Sequence, residues 1–338
     1  MPLIEVREPW LAQVREDIVE PTRRIIDPHH HFFATTHEFP HYDLDKLRAD
    51  TATHHVEQTV YLQCWEGYRQ SGPEALMPVG ETEWVDAIAR RARETPGATQ
   101  IGAMVGTAEL RAGARVREVL EAHVAASPLF RGIRQIAAWE SSGAFFAPPG
   151  IDDADLYADA SFRAGFKVLV EMGLVFDAYH YHTQTPQLTA LARAFPDARI
   201  NLNHLGTPLG TGPYAGRRAE IFAQWATDLA DLATCPNVTI KLGGLAMPWC
   251  GFDFELAPSP PGSDEFARRT GDYFHRAIDC FGPERCMFES NFPVDKCGVS
   301  YAVLWNAFKK IAARYGESEK DAMFYRTAAR FYGVRPLG

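Results

Sequence analysis

Short apolar runs alternate with longer amphipathic stretches along almost the whole chain, and this alternation restricts the fold more than any other feature. Eight runs have the length and composition of buried strands: residues 24–27, 58–63, 100–106, 130–136, 174–178, 199–203, 238–242 and 286–290. The clearest helical patterns between them are residues 83–94, 112–126, 155–172, 217–233, 265–281 and 301–315. Strands that alternate with helices pair in parallel through right-handed crossovers. Eight such units predict an α/β fold, a closed (β/α)8 TIM barrel, rather than an open doubly wound sheet.

A single barrel accounts for the length of the chain. Barrels of this class routinely reach about 250 residues or more, and the chain has 338. No Gly-x-Gly-x-x-Gly motif follows the first strand, so a dinucleotide-binding fold is not supported. We predict one barrel domain at residues 24–338, an N-terminal arm at residues 1–23, and a C-terminal helix near residues 317–332.

Composition and charge exclude several classes of function. A net charge of −9 argues against nucleic-acid binding, which normally requires a basic surface. No stretch approaches the roughly 20 apolar residues of a membrane span, so no membrane partner is predicted. The first residues carry acids where a secretory signal needs an apolar core. The six cysteines are scattered and never form Cys-x-x-Cys, as expected for reduced thiols in a cytoplasmic protein.

Polar residues gather at the ends of the predicted strands, where barrel enzymes build their sites. His29 and His31 follow the first strand two residues apart, so both imidazoles project from one face if the strand continues. Two neutral imidazoles on one face suit a metal ion or proton transfer. His204 follows the sixth strand, and Glu289 and Asn291 end the eighth. The remaining polar residues near strand ends are Gln63, Arg131, Arg134, Asp177, His180, His182 and Lys241.

Three of these motifs together resemble a known family. They are His29-x-His31, the Asn-His-Leu-Gly-Thr-Pro run at residues 203–208, and the Phe-Glu-Ser-Asn-Phe-Pro run at residues 288–293. The pattern is similar to the amidohydrolase superfamily, and most similar to its amidohydrolase-2 branch of metal-dependent TIM-barrel hydrolases, which includes sugar and dicarboxylate lactonases. Residues 68–83 and 327–332 share the resemblance, which therefore extends over nearly the whole chain.

The resemblance implies roles for the polar residues. His29, His31 and His204 would surround a substrate carbonyl oxygen, directly or through one divalent ion held by His29 and His31, with zinc the first choice. Arg134 would bind a substrate carboxylate. The other substrate-binding candidates are Gln63, His180, His182 and Lys241, although Lys241 is equally explained as the buried partner of a carboxylate. Asp27 is expected to orient one of the imidazoles, and one of Arg131 and Arg134 to be structural.

One position departs from the family pattern. The family usually ends its eighth strand with Ser-Asp-x-Pro, whereas this chain has Asn291 at the aspartate position. Asparagine is neutral and ligates metal weakly, so a metal-free site is an alternative. Glu289 lies two residues earlier and faces the same way on a strand, where it could pair with Lys241 or reach the histidines. We predict His204, Asn291 and Glu289 as catalytic residues, with Asp295 as the competing candidate for the general base.

These features predict a hydrolase that acts on a small carbonyl substrate, with a carboxylated lactone as the leading candidate. Two alternatives remain open: a nonoxidative decarboxylase of the same superfamily, and a ligand-binding barrel that has lost catalysis. The expected partner is a small anionic molecule, with neither nucleic acid nor membrane, and a homo-oligomer is compatible with the sequence.

Overall fold

The computed structural model describes residues 4–34 and 39–337. Its eight parallel strands follow one another in chain order around a single sheet. They are β1 (Ile25–His30), β2 (Val56–Leu62), β3 (Gln100–Gly106), β4 (Phe130–Ile133), β5 (Val175–Ala178), β6 (Arg199–Leu202), β7 (Val238–Leu242) and β8 (Cys286–Phe288). The predicted (β/α)8 barrel is confirmed.

Helices connect the strands and cover the outside of the barrel. They are α1 (Glu8–Leu11), α2 (Leu44–Thr51), α3 (Val79–Arg93), α4 (Val116–Ala126), α5 (Ala160–Glu171), α6 (Thr185–Ala194), α7 (Arg218–Ala233), α8 (Ser263–Phe281), α9 (Tyr301–Ile311), α10 (Glu317–Asp321) and α11 (Thr327–Tyr332). The sequence patterns did not predict α2 and α6. Within the described ranges, no helix is both long and apolar enough to cross a membrane.

The barrel closes where β1 meets the chain just beyond β8. His30 and Phe292 form a parallel bridge, and the His31 amide donates to the Phe292 carbonyl at 2.8 Å. The Asn291 amide donates to the His29 carbonyl at 3.0 Å. Closure therefore brings the His29-x-His31 motif directly beside Asn291, although the two lie more than 250 residues apart in the sequence.

Three strands end two or more residues away from the predicted position. β1 was expected to end at residue 27, but it continues to His30 because the register shifts between Asp27 and His30. This irregularity accommodates Pro28, which has no amide hydrogen to donate. β4 and β8 are shorter than predicted, since the chain leaves the sheet after Ile133 and after Phe288. The residues beyond these two ends turn inward to form the site.

The outer layer is fixed by aromatic packing and by the N-terminal segment. Phe288 at the end of β8 stacks on Phe308 of α9 and on Phe324, with ring centroids 4.9 and 4.7 Å apart. The indole of Trp10 in α1 donates to the carbonyls of Ala257 and Pro258, each at 3.2 Å. The N-terminal segment therefore binds the loop between β7 and α8, which belongs to the same end of the barrel as the site.

Candidate active site

A cleft of about 670 Å³, including its open part, lies at the carboxyl ends of the strands. Its lining residues are His31, Phe33, Phe39, Cys64, Trp65, Arg134, Ile136, Phe146, Tyr179, Tyr181, His204, Met247, Trp249, Asn291 and Val294. Four polar residues predicted for the site, His31, Arg134, His204 and Asn291, thus share one cleft. His29 is fully buried directly behind His31.

Glu289 bridges two of the histidines from beneath the cleft. Its Oε1 atom accepts from Nδ1 of His204 at 2.7 Å and from the His204 amide at 3.0 Å. Its Oε2 atom lies 2.7 Å from Nδ1 of His29. The Lys241 ammonium lies farther from the same atom of His29, at 3.4 Å, and it donates to Asp177 at 2.7 Å. A nitrogen lone pair would be repelled by a carboxylate oxygen at 2.7 Å, so we assign the imidazole protons of both histidines to Nδ1. Of the two arrangements predicted for Glu289, the contact with the histidines is the one observed.

The assigned tautomers leave Nε2 lone pairs facing one another. Nδ1 of His31 donates to the Leu62 carbonyl at 2.8 Å, so its Nε2 atom is also unprotonated. The Nε2 atoms of His29 and His31 are 3.2 Å apart. Two facing lone pairs at this separation require a shared proton or a cation between them. Burial lowers the pKa of both imidazoles well below the ordinary histidine value, which disfavours the extra proton.

This pair fits a divalent metal ion. Two nitrogen ligands of a tetrahedral zinc ion lie about 3.3 Å apart for Zn–N bonds of about 2.05 Å. His29, His204 and Glu289 also form a cluster whose ligand atoms lie within 4.8 Å of one another. Using that cluster would make Glu289 a ligand at the cost of its hydrogen bond to His204. The Nε2 atoms of His29 and His31 are therefore the better ligands, with Nδ1 of His29 beside Glu289 and Nδ1 of His31 bonded to the Leu62 carbonyl.

Asn291 presents an unused donor to the cleft. Its backbone adopts a left-handed conformation with φ of 56°, which asparagine tolerates better than most residues. Its Nδ2 atom makes no well-formed hydrogen bond within the described residues, although the buried Asp295 carboxyl group is close enough to interact with the Asn291 side chain. Asp27 was expected to orient an imidazole, but it accepts from the amides of His29 and Ser290 and from the Tyr301 hydroxyl instead. Asp27 thus fixes the backbone that carries His29 and Asn291.

Arg134 is a buried cation without an ion-pair partner. Its guanidinium donates to the carbonyl of Gln63 and lies 3.4 Å from Nε2 of His29, and its Nε has no partner. No carboxylate within residues 4–34 and 39–337 forms a salt bridge with it, which leaves it available to an anion. Arg131 instead donates to carbonyls of Pro128, Phe130 and Tyr332, so it is the structural member of the pair.

Four predicted substrate-binding residues do not line the cleft. Gln63 contributes its backbone carbonyl to Arg134, and its side chain is buried without lining the cleft. His180 contacts the hydroxyls of Tyr157 and Thr185, and His182 accepts from the Leu209 amide. The fourth residue, Lys241, is described below.

The placement of His180 and His182 away from the cleft has a simple cause. Residues 179–182 read Tyr-His-Tyr-His, and adjacent side chains of an extended segment point in opposite directions. The structure turns Tyr179 and Tyr181 into the cleft, so the two histidines face away. The sequence pattern was interpreted in favour of the histidines. The same alternation allows the tyrosines to face the cleft instead, which is the arrangement observed.

Lys241 forms a buried ion pair beneath the imidazoles. Its ammonium lies 2.7 Å from Oδ1 of Asp177, and both side chains are fully buried. Asp177 also accepts from Asn203 at 2.8 Å and from the Tyr332 hydroxyl at 2.8 Å. Lys241 is therefore the partner of a carboxylate rather than a substrate ligand. Asp295 is buried and does not line the cleft, and burial raises its pKa well above the ordinary range, which favours its protonated form.

Replacing Lys241 with methionine should destabilise the barrel strongly. Asp177 would be left buried without the ammonium that balances it, so we expect the free energy of unfolding to fall by about 3–5 kcal/mol. Urea denaturation of the purified variant measures the loss. Lys310→Met is the matched control, since Lys310 pairs with the exposed Asp264 and should cost less than about 1 kcal/mol. Equal losses in the two variants would contradict this role of Lys241.

Comparisons with known proteins identify the family. A family model described as Amidohydrolase matches residues 26–334. The uncharacterised protein y4mH of Sinorhizobium fredii is 33% identical over 294 residues, 87% of this chain and 86% of that protein. L-fucono-1,5-lactonase of Burkholderia ambifaria is 26% identical over 322 residues, 93% of this chain and 97% of that enzyme. The crystal structure of a Burkholderia multivorans amidohydrolase with bound zinc has a TM-score of 0.71 at 24% identity, covering 92% of this chain and 99% of that one. The chain therefore belongs to the amidohydrolase family.

Proposed function

We propose that the protein hydrolyses a small lactone that carries a carboxylate. The observation that carries this proposal is the buried Arg134 guanidinium, which pairs with no carboxylate of the described residues and lies beside the imidazoles in one cleft. A planar guanidinium matches the two oxygens of a carboxylate. The 26% identity to an L-fucono-1,5-lactonase over most of both chains supports ring opening of a lactone as the reaction.

His204 is the proposed general base. Its Nδ1 proton is held by Glu289, so Nε2 is the nitrogen free to accept a proton from the attacking water. Burial lowers the pKa of His204, which keeps the imidazole neutral and able to act as a base at pH 7. The Glu289 carboxylate then stabilises the imidazolium that forms, and it does so without accepting the proton itself.

Asn291 is the proposed donor to the developing oxyanion. The unpaired Nδ2 group at the cleft supports this role, because a donor that is already in place loses little on reorganisation during the reaction. This explanation also gives a function to the replacement of the usual aspartate, because an amide donates a hydrogen bond that an ionised carboxylate cannot. The alkoxide released by ring opening takes the proton back from His204.

His29 and His31 are the residues proposed to hold a divalent ion. The bound zinc of the related Burkholderia multivorans protein and the facing Nε2 atoms both support zinc at this position. Such an ion would polarise the substrate carbonyl and increase the acidity of a nearby water. The nearby Arg134 guanidinium disfavours a second cation, so we propose at most one ion.

The proposal is tested with a δ-lactone carboxylate and its methyl ester. The wild type should open the ring of the lactone carboxylate and should act poorly on the methyl ester. Ring opening releases acid, so the reaction is measured by the base that must be added to hold the pH constant. Arg134→Gln should raise KM for the carboxylate roughly 30- to 100-fold and remove the preference for it, because a charge-assisted bidentate contact is lost. Arg117→Gln, on the exposed face of α4, is the matched control.

Other products would identify the alternatives. Release of carbon dioxide without ring opening would establish a decarboxylase and overturn the lactonase proposal. Binding without turnover would establish a ligand-binding barrel. The same experiment includes metal analysis of wild type and His31→Ala, both purified without chelator. One equivalent of zinc in the wild type and none in the variant would support the proposed ligands.

A further inference from the structure

We infer that the substrate has a flat, aromatic body, and that the cleft selects against polyhydroxylated lactones. The inference rests on the proposed lactone hydrolysis only for the reacting group, whereas the shape and polarity of the body follow from the cleft walls. L-fucono-1,5-lactonase, to which the chain is related, is named for a sugar lactone. The cleft in this chain favours a different class of substrate.

Apart from tyrosines, tryptophans and Cys64, the polar side chains that line the cleft are four residues near the strand ends. His31, His204, Asn291 and Arg134 lie at or just beyond the strand ends, and these residues serve the carbonyl and one anion. Within the described part of the chain, no Asp, Glu, Gln, Lys, Ser or Thr lines the cleft. The ring hydroxyls of a sugar lactone would therefore lose their water without gaining partners of the kind that normally bind them.

The walls above these groups are aromatic on several sides. Phe33 stacks on Phe39 with ring centroids 4.4 Å apart and planes 6° apart, which makes one flat wall after β1. Trp65, which follows β2, packs edge to face against Phe146, which follows β4, with ring centroids 5.9 Å apart. The Tyr181 hydroxyl donates to the Phe146 carbonyl at 2.7 Å, so its polar atom is already used and its ring is left for a ligand.

Trp65 is the wall residue at the mouth of the cleft. It is 46% exposed, which is unusual for so large an apolar side chain. Its position is nevertheless fixed, because the buried Glu81 carboxylate accepts from the amides of Cys64 and Glu66 on either side of it. An exposed indole on an anchored loop is ready to stack on a planar ring with little loss of entropy.

The test uses binding of two lactams, because lactams resist hydrolysis and report recognition alone. One is a benzo-fused δ-lactam carboxylate, and the other is a trihydroxylated δ-lactam carboxylate. Isothermal titration calorimetry of the wild type should show that the benzo-fused lactam binds roughly tenfold more tightly than the trihydroxylated lactam, or better. Trp65→Ala should weaken that lactam roughly tenfold, and Trp65→Phe should restore most of the affinity. Neither variant should change the binding of the trihydroxylated lactam.

The control variant is Val124→Ala, which truncates an exposed apolar residue on α4 outside the cleft and should leave both affinities unchanged. Equal or tighter binding of the trihydroxylated lactam would overturn the inference, as would an unchanged affinity of Trp65→Ala for the benzo-fused lactam. Selective binding of the benzo-fused lactam by a protein that opens no lactone would overturn the proposed hydrolysis and leave the inference intact.

Discussion

Replacing His204 with glutamine is expected to lower kcat/KM about 10³-fold while leaving the barrel folded. Glutamine keeps hydrogen-bonding capacity near Glu289 but cannot accept a proton from water. His204 lines the cleft and is not part of the packed core, so its loss should change the unfolding midpoint only modestly. Steady-state kinetics on the lactone carboxylate, together with thermal unfolding of the same preparation, measures both effects. A variant that keeps near-wild-type kcat/KM would exclude His204 as the base.

The wild-type pH profile provides a second check on His204. Burial lowers the pKa of the imidazole below its ordinary value of 6.5, and the Glu289 carboxylate partly offsets this effect. The base is active when neutral, so kcat/KM should be level at pH 7 and decline only as the pH falls below 6.5. Arg134 and Lys241 act in the same direction as burial, because their positive charges disfavour a second cation. An acidic limb above pH 6.5 would contradict this assignment.

Glu289→Gln is expected to reduce kcat roughly 10³-fold without removing any group that touches the substrate. The carboxylate places an oxygen 2.7 Å from Nδ1 of both His29 and His204, whereas an amide would place an accepting oxygen at one of them and a donating nitrogen at the other. The imidazole that faces the amide nitrogen must then carry its proton on Nε2, so that nitrogen can no longer accept a proton or bind a metal ion. The loss of the negative charge should also move the acidic limb of the pH profile to lower pH.

A matched variant separates this positioning role from simple destabilisation. Glu81 is likewise a buried carboxyl group, but it accepts from the Tyr61 hydroxyl and the Cys64 amide and contacts no imidazole. Glu81→Gln should lower the unfolding midpoint comparably, leave the acidic limb in place and reduce kcat by less than about tenfold. Matching kinetic losses in the two variants would show that Glu289 acts only through the fold.

The fold was predictable because each strand is a local pattern. The eight apolar runs identify eight observed strands, since burial on both faces requires near-continuous apolar residues. The end of β1 was not predictable, because Pro28 usually interrupts a strand and only the register shift at that point permits it. Helix α6 was missed although Pro186 stands in its first turn, a position where proline favours a helix.

The site was predictable to the extent that the strand ends determine it. His31, His204 and Asn291 share the cleft because they follow adjacent or nearly adjacent strands of a closed barrel. The contact partners of charged residues were not predictable, since they depend on the neighbour across the sheet. Lys241 meets Asp177 rather than Glu289, and nothing in the spacing of these residues distinguishes the two acids. Their positions became clear only from the three-dimensional arrangement.

The Tyr332 hydroxyl donates to both oxygens of Asp177, at 2.8 and 3.0 Å, and its ring lies 5.2 Å from the Lys241 ammonium. This contact has a consequence for synthesis of the protein. A chain emerges from the ribosome with its N-terminal part first, so every strand is released before residue 332. Until that tyrosine arrives, the Asp177 carboxylate lacks one of its donors and keeps only Lys241 and Asn203. A nascent chain that ends before Tyr332 is thus expected to remain sensitive to protease at the barrel interior, and to acquire resistance when the tyrosine is included.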